Sequence, residues 1–142
     1  MKAFVSYSIN DSELYAITLL AEKLRERGFG ISSHYSNEFG EPDSNVAVIK
    51  KITIKQIISS SLFIGVVTTL GKNNDFVFEE WEIAKANQVP ALLLVEDTAK
   101  FLISGSEEGL IIFDRNEPDA AIREINKHIS DSRKSTTFAY SN

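Results

Sequence analysis

An α/β fold built on a parallel sheet is predicted by three features of this 142-residue chain. Residues 62–67, Leu-Phe-Ile-Gly-Val-Val, form a continuous apolar run and residues 91–95 form another, neither with the in-out alternation of a half-solvated strand. Strands without alternation are covered on both faces, as in parallel sheets. Between such runs lie stretches with apolar residues at helical spacing, such as Leu14, Ile17, Leu20, Ala21 and Leu24. Strand-like and helical segments alternate along the chain, and that order calls for right-handed crossovers that put helices on both sides of one sheet. The expected architecture is a flavodoxin-like, five-stranded parallel sheet with helices on both faces.

Each element has its own signal. The first strand is read at residues 3–7, and Asn10-Asp11-Ser12-Glu13 follows as a helix start, with Asn10 as cap and Glu13 three positions on. That helix is expected to run to about Arg27, because Gly28 stands where a left-handed C-cap belongs. A second strand is predicted over 29–32. Residues 33–44 hold Asn37, Gly40, Pro42 and Asp43 with little periodicity, which marks a long loop. Residues 45–60 read as helix, although Val46 and Ile49 fit one apolar face and Ile54, Ile57 and Ile58 a shifted one, a pattern compatible with two pieces. Thr68-Thr69 closes the third strand, and after Gly71 and Asn73-Asn74 a helix runs to near Gln88. The fourth strand, 91–95, is read as stopped by Glu96 and Asp97. Irregular chain over 98–109 precedes a fifth strand at 110–113, and Pro118 opens a last helix through Ala121, Ile122, Ile125 and Ile129. Residues 1–130 are expected to form one domain and residues 131–142 a polar, frayed tail.

Composition narrows the function classes. A hydrophobic content of 43% in 142 residues suits one domain with a real core. A net charge of −5 and a pI near 5.1 argue against a nucleic acid backbone or an anionic membrane as the main partner. The chain has no cysteine, and its two histidines, His34 and His128, lie far apart, so neither a disulfide framework nor a metal site is indicated. No leader-like amino terminus and no apolar run near the roughly 20 residues of a membrane span are seen, so a cytoplasmic location is expected.

Glu80 is the residue that most invites a functional reading. At about 100° per residue its helix-surface neighbours are Phe76, Val77, Ile83 and Ala84, so a carboxylate interrupts an apolar stripe. Burying it ionised and unpaired would cost several kcal/mol. It is either a rim acid that reaches water or a carboxyl group held in a cleft. Glu79 and Glu82 have charged neighbours and read as a solvated face. In sheets of this kind ligands bind beyond the carboxyl ends of the strands, which makes Tyr7-Ser8, the 33–44 loop, Thr68-Thr69 and the start of the Glu80 helix the candidate rim. Several familiar uses of that rim lack their residues. The turn after the first strand reads Ser8-Ile9-Asn10-Asp11 and not a glycine-rich dinucleotide loop, no phosphate-binding P-loop or Gly-x-Ser-x-Gly elbow exists, and the acids of a phosphoacceptor are missing.

Four segments in order, Phe4-Val5-Ser6-Tyr7, Leu62-Phe63-Ile64-Gly65-Val66-Val67-Thr68, Phe76-Val77-Phe78-Glu79-Glu80 with Ala84, and the 91–95 run, resemble a bacterial TIR (Toll/interleukin-1 receptor) domain over roughly residues 2–129. The resemblance implies an NAD+ nucleosidase or cyclase, because enzymatic TIR domains use a glutamate in a tryptophan-x-x-x-glutamate arrangement on this helix. That glutamate maps to Glu80, with Phe76 in the tryptophan's place. It also puts Tyr7 and Ser8 beside the substrate and makes the 33–44 segment the BB loop, with Phe39-Gly40 at its tip. NAD+ would be substrate rather than cofactor, and a second copy of the chain would be a partner through that loop. A separate effector would receive an ADP-ribose-derived, cyclic signal, as in stand-alone TIR subunits of Thoeris antiphage defence. The chain departs from many relatives in having Ser32-Ser33-His34 where an acid ends the second strand and Ser8-Ile9 where an arginine follows the first. Two other readings stand beside this one. The first is a nucleoside 2-deoxyribosyltransferase-like enzyme with a glutamate on an equivalent helix; the second is a non-enzymatic TIR assembly or adaptor module in which Glu80 is a rim charge. On packing grounds alone Tyr7 reads as a half-buried strand aromatic, Phe76 as core, and Trp81 as packed on the sheet or a neighbouring helix.

Overall fold

A computed structural model describes residues 1–7, 14–32, 46–69, 74–103 and 109–140, with side chains left aside at 14–17, 46–50, 118 and 131–140. Strands β1 (Lys2–Tyr7), β2 (Gly30–Ser32), β3 (Leu62–Val67), β4 (Ala91–Glu96) and β5 (Leu110–Phe113) form one sheet in the order β2-β1-β3-β4-β5. Every neighbouring pair is parallel. Helices α1 (Leu14–Glu26) and α4 (Pro118–Tyr140) share a core with one face of the sheet, through Leu20, Leu24, Ala121, Ile125 and Ile129 against Val5, Ile64 and Leu94. Helices α2 (Val46–Ile58) and α3 (Asp75–Ala86) share the other, through Ile57, Val77, Trp81 and Ala84 against Phe4, Phe63, Val67 and Leu93. Phe4 and Phe63 stack across the β1–β3 ladder with ring centroids 6.0 Å apart. The predicted fold class is the observed one.

The alternation of side chains along each strand explains the two cores. Ala3 and Val5 face the α1/α4 side, whereas Phe4 faces the α2/α3 side, so the apolar runs feed both layers at once. The order of the strands creates a switch between β1 and β3: α1 carries the chain outward to β2, and α2 brings it back past β1 to β3 on the opposite face. Beyond the carboxyl ends of two such strands the connections diverge and leave a crevice.

The boundaries show where local chemistry differs from periodicity. Helix α1 ends in a Schellman motif: Gly28 at φ +90, Phe29 N–H on the Leu24 carbonyl at 3.1 Å and Gly28 N–H on the Arg25 carbonyl at 2.9 Å. Phe29, expected in the strand, is the apolar partner of Leu24 in that cap, and β2 starts one residue later. Helix α2 is one piece over Val46–Ile58 and does not break where the apolar pattern shifts. Helix α3 ends before Gln88, since Gln88 takes φ 59 while Val89 N–H reaches the Ala84 carbonyl at 2.9 Å. Strand β4 does not stop before Glu96 but includes it, and a 3₁₀ helix over Asp97–Leu102 replaces part of the irregular chain expected there. Helix α4 continues to Tyr140, where a frayed tail was expected from about residue 131; once nucleated, a helix extends at little cost per residue. Asn10 and the 33–44 loop lie outside the described residues.

Gln88 supports a stability prediction. A non-glycine residue in the left-handed region costs about 1–2 kcal/mol, partly offset by the greater unfolded-state freedom of glycine. Gln88→Gly is expected to stabilise the fold by roughly 0.5–1 kcal/mol, read as a higher urea midpoint at unchanged slope.

Candidate active site

The site is built where β1, β3 and α3 meet. On β1, Ser6 follows Phe4 on the face that α3 covers, and its ladder partner on β3 is Gly65. A Cβ at Gly65 would stand 2.8 Å from Leu93 Cδ1 and 3.0 Å from Val77 Cγ1. The missing side chain therefore lets α3 lie close on the sheet at this level. The start of α3 is pinned separately: Asn74 makes no side-chain cap bond and instead donates from Nδ2 to the Thr68 carbonyl at 2.9 Å, tying the helix to the end of β3. Helix α3 then descends from the carboxyl rim. Glu80, five residues in from Asp75, lies about 8 Å down at 1.5 Å per residue, and Gly65 lies about 10 Å below Thr68 at strand spacing. Those matching depths bring Glu80 opposite Ser6, whose hydroxyl donates to Oε1 at 2.6 Å.

Burial governs the charge of Glu80. Desolvation pushes its carboxyl up to about 7, the Ser6 hydrogen bond opposes that rise, and the neighbouring Glu79 adds to it. The group thus divides between acid and carboxylate near neutral pH. Along the same helix, Val77, Trp81 and Ala84 are buried and Phe76 and Ile83 are half-buried against the same core. Phe76 precedes Glu80 by one turn, so ring and carboxyl are surface neighbours.

Of the residues that the sequence nominated, Glu80 and Phe76 are brought together on α3. Tyr7 is half-buried and packs with the cluster on the opposite face, beside α1 and α4. Ser8, Phe39 and Gly40 lie outside the described residues. Ser6 was missed. The signal was available: a serine on the Phe4 face of a strand, opposite a lone glycine inside an apolar run. Trp81 packs in the core as expected, and the Lys85 ammonium sits 3.6 Å from its ring centroid. Among the described residues no cluster of three or more potential metal ligands occurs, and no helix is long and apolar enough to cross a membrane.

A second buried acid was also missed. Glu96, read as a strand stop, is buried at the end of β4 and accepts the Thr69 N–H at 2.8 Å and Arg115 Nη2 at 2.8 Å, with a further bond from Arg115 Nε. The guanidinium is the main reason its carboxyl is held down at about 2. This fork ties the chain after β3 to the chain after β5 across the end of β4, and the Thr69 and Thr98 hydroxyls add a bond beside it.

The chain matches no protein-family model, and no curated protein resembles it in sequence. Solved structures share its fold. A 2-deoxyribosyltransferase from the psychrotolerant bacterium Bacillus psychrosaccharolyticus superposes with a TM-score of 0.56 at 17% identity, over 67% of this chain and 72% of that one. The Clostridium botulinum CMP N-glycosidase BcmB gives 0.57 at 14% identity, over 89% and 99%. A 2-deoxyribosyltransferase from Leishmania mexicana gives 0.52 at 16% identity, over 83% and 82%. At these identities the likeness establishes the fold, an α/β architecture that is also used by enzymes named for breaking or transferring N-glycosidic bonds.

Opposite pH responses are expected from the two acids. Glu80 binds its proton more tightly folded (about 7) than at its ordinary 4.5, so its ionisation removes stability as pH rises from about 4.5 to about 7. Glu80→Gln, which mimics the protonated form, should be more stable than wild type by roughly 1–3 kcal/mol at pH 8 and equal to it near pH 4, in paired urea melts. Glu96 contributes fully above 4.5, and its contribution is lost as pH falls toward about 2. Arg115→Met should cost about 3 kcal/mol at pH 7, because a buried carboxylate loses its cation and keeps only its Thr69 bonds, and the deficit should shrink toward pH 2.

Proposed function

We propose that this chain is an enzyme that cleaves or transfers the N-glycosidic bond of a nucleoside or nucleotide, with Glu80 as the group that meets the anomeric carbon. The observation that carries the reading is the half-buried Glu80 carboxyl, held by Ser6 where β1, β3 and α3 meet and pushed up to about 7. A carboxyl perturbed by burial and sited at a switch point is what a glycosyl-transferring centre requires. The enzymes named for this chemistry that share the fold support it.

The chemistry follows from the ionised fraction of Glu80. As the C1′–N bond lengthens, its electron pair leaves with the base and positive charge develops on the sugar. The Glu80 carboxylate stabilises that charge and bonds to C1′, forming a glycosyl ester, and water or a second base then displaces the carboxylate. A neutral nucleobase leaves as a neutral molecule only by gaining a proton, whereas the nicotinamide of NAD+ is already cationic. Phe76 offers an aromatic edge beside the carboxyl against which a flat ring can pack.

One observation keeps NAD+ as a second candidate substrate: Phe76 and Glu80 stand four residues apart on α3, the arrangement that the TIR resemblance maps onto this helix. On that reading the product is an ADP-ribose-derived signal for a separate effector, and self-association through residues 33–44 controls the activity.

Concentrated protein incubated with deoxynucleosides, with and without an added acceptor base, with ribonucleoside 5′-monophosphates and with NAD+ separates these readings by mass spectrometry of the products. Free or exchanged base with intact NAD+ supports the first, and nicotinamide release, rising steeply with protein concentration, supports the second. In either case Glu80→Gln is expected to lower the rate by at least ~10³-fold. Turnover that survives this substitution would remove Glu80 from the mechanism, and inertness toward every substrate would leave the non-enzymatic assembly module as the better account.

A further inference from the structure

The β1 position that approaches Glu80 is occupied by a hydroxyl where packing alone asks for none. Ser6 is fully buried, and its strand neighbours Phe4 and Val5 are fully or almost fully buried apolar residues. Alanine would fill such a place without a polar group to satisfy, and a buried hydroxyl without a partner is destabilising. The hydroxyl has one described hydrogen bond, 2.6 Å to a carboxylate oxygen 74 residues away in sequence. Nothing intervenes from β3, because the ladder partner is Gly65.

We propose that Ser6 is the positioning residue of the site: by donating to Oε1 it fixes the rotation of the Glu80 carboxyl group and favours the carboxylate that meets the sugar. The inference rests on the glycosidic reading above. A glutamate side chain has three rotatable bonds, and its terminal torsion is broad, so an unrestrained carboxyl samples orientations in which its lone pairs miss the reacting carbon. A short bond from a strand residue removes that freedom at its end, from a donor held by the sheet. The same bond works against burial in setting the charge, since it stabilises the ionised form more than the acid.

The neighbouring charge on α3 works against ionisation of Glu80, and the Ser6 bond works for it. On α3 the charged neighbour is Glu79, which opposes ionisation, and the facing positions of β1 and β3 are Ser6 and Gly65, which carry no charge. Helix α2, which packs beside α3 through Ile57, turns Lys51 and Lys55 outward to solvent.

The test compares Ser6→Ala and Ser6→Thr with wild type. The Glu80 carboxyl is followed by carbon NMR of glutamate-labelled protein, assigned by its loss in Glu80→Gln, and kcat and KM are measured across pH on whichever substrate wild type turns over. Ser6→Ala is expected to move the Glu80 midpoint upward from about 7, by roughly one pH unit. The acidic limb of kcat should move with it, and kcat at pH 7 should fall ~10–100-fold while KM changes little. Ser6→Thr, which keeps the hydroxyl, should restore the midpoint and most of kcat. An unmoved midpoint in Ser6→Ala overturns the proposal whatever the activity, and so does a loss of kcat equal in the alanine and threonine variants. If wild type turns over no substrate, the glycosidic reading has failed by itself, and the NMR titration still decides whether Ser6 sets the state of Glu80.

Discussion

The close approach of α3 to the sheet at Gly65 is the constraint on which the rest of this site depends. A side chain there would crowd Leu93 Cδ1 at 2.8 Å and, on α3, Val77 Cγ1 at 3.0 Å, so those side chains would have to give. The Ser6–Glu80 bond, at 2.6 Å, lies at the short end of its range and would lengthen if α3 moved away from the sheet. The same contact keeps Val77 and Ala84 fully buried and gives Glu80 the apolar surroundings that keep its proton. One absent methyl group therefore links the packing of a parallel sheet to the ionisation of a carboxyl about 10 Å below its rim.

Two buried acids in one small domain show how surroundings decide the role of a residue type. Glu96 meets a guanidinium and a backbone N–H, so its charge is satisfied and serves to hold three strand ends in register. At Glu80 burial and the neighbouring Glu79 carboxylate outweigh the Ser6 hydrogen bond, so the group keeps its proton up to about 7. The first adds stability and the second subtracts it. A fold that retains a destabilising acid among buried apolar residues is carrying it for a reason other than packing.

Much of this was legible in the sequence. The apolar runs at 62–67 and 91–95 had no polar alternation to confuse them, and their helical partners kept a clear period, so the class of sheet and most element positions followed from pattern alone. Glu80 was legible because a carboxylate in an apolar stripe violates that pattern. Ser6 and Glu96 were not, for a common reason. Each lies at or next to the end of a strand whose other residues read as core, and a serine or glutamate there is ordinary until its partner is known, 74 residues away for Ser6 and 19 for Glu96. Pairings across such distances are set by strand order, and strand order is set by both layers of helices together. Tyr7 adjoins Ser6 in sequence, but alternation sends it to the opposite face, where it is the half-buried strand aromatic that packing predicts.

The two substrate classes proposed for this site are closer chemically than their names suggest. In both, a bond between C1′ of a ribose or deoxyribose and a ring nitrogen breaks, and in both the sugar passes through a state that a nearby carboxylate stabilises. They differ in what must happen at the other end of the bond. A pyridinium leaves without help, so a lone glutamate suffices and the rate should rise as that glutamate ionises, through about 7. A neutral nucleobase requires a proton in step with departure, which sets an upper limb at higher pH and makes the rate bell-shaped. The ionisation of Glu80 is common to both, so the form of the pH profile above neutrality, rather than the position of the glutamate, carries the information about the leaving group.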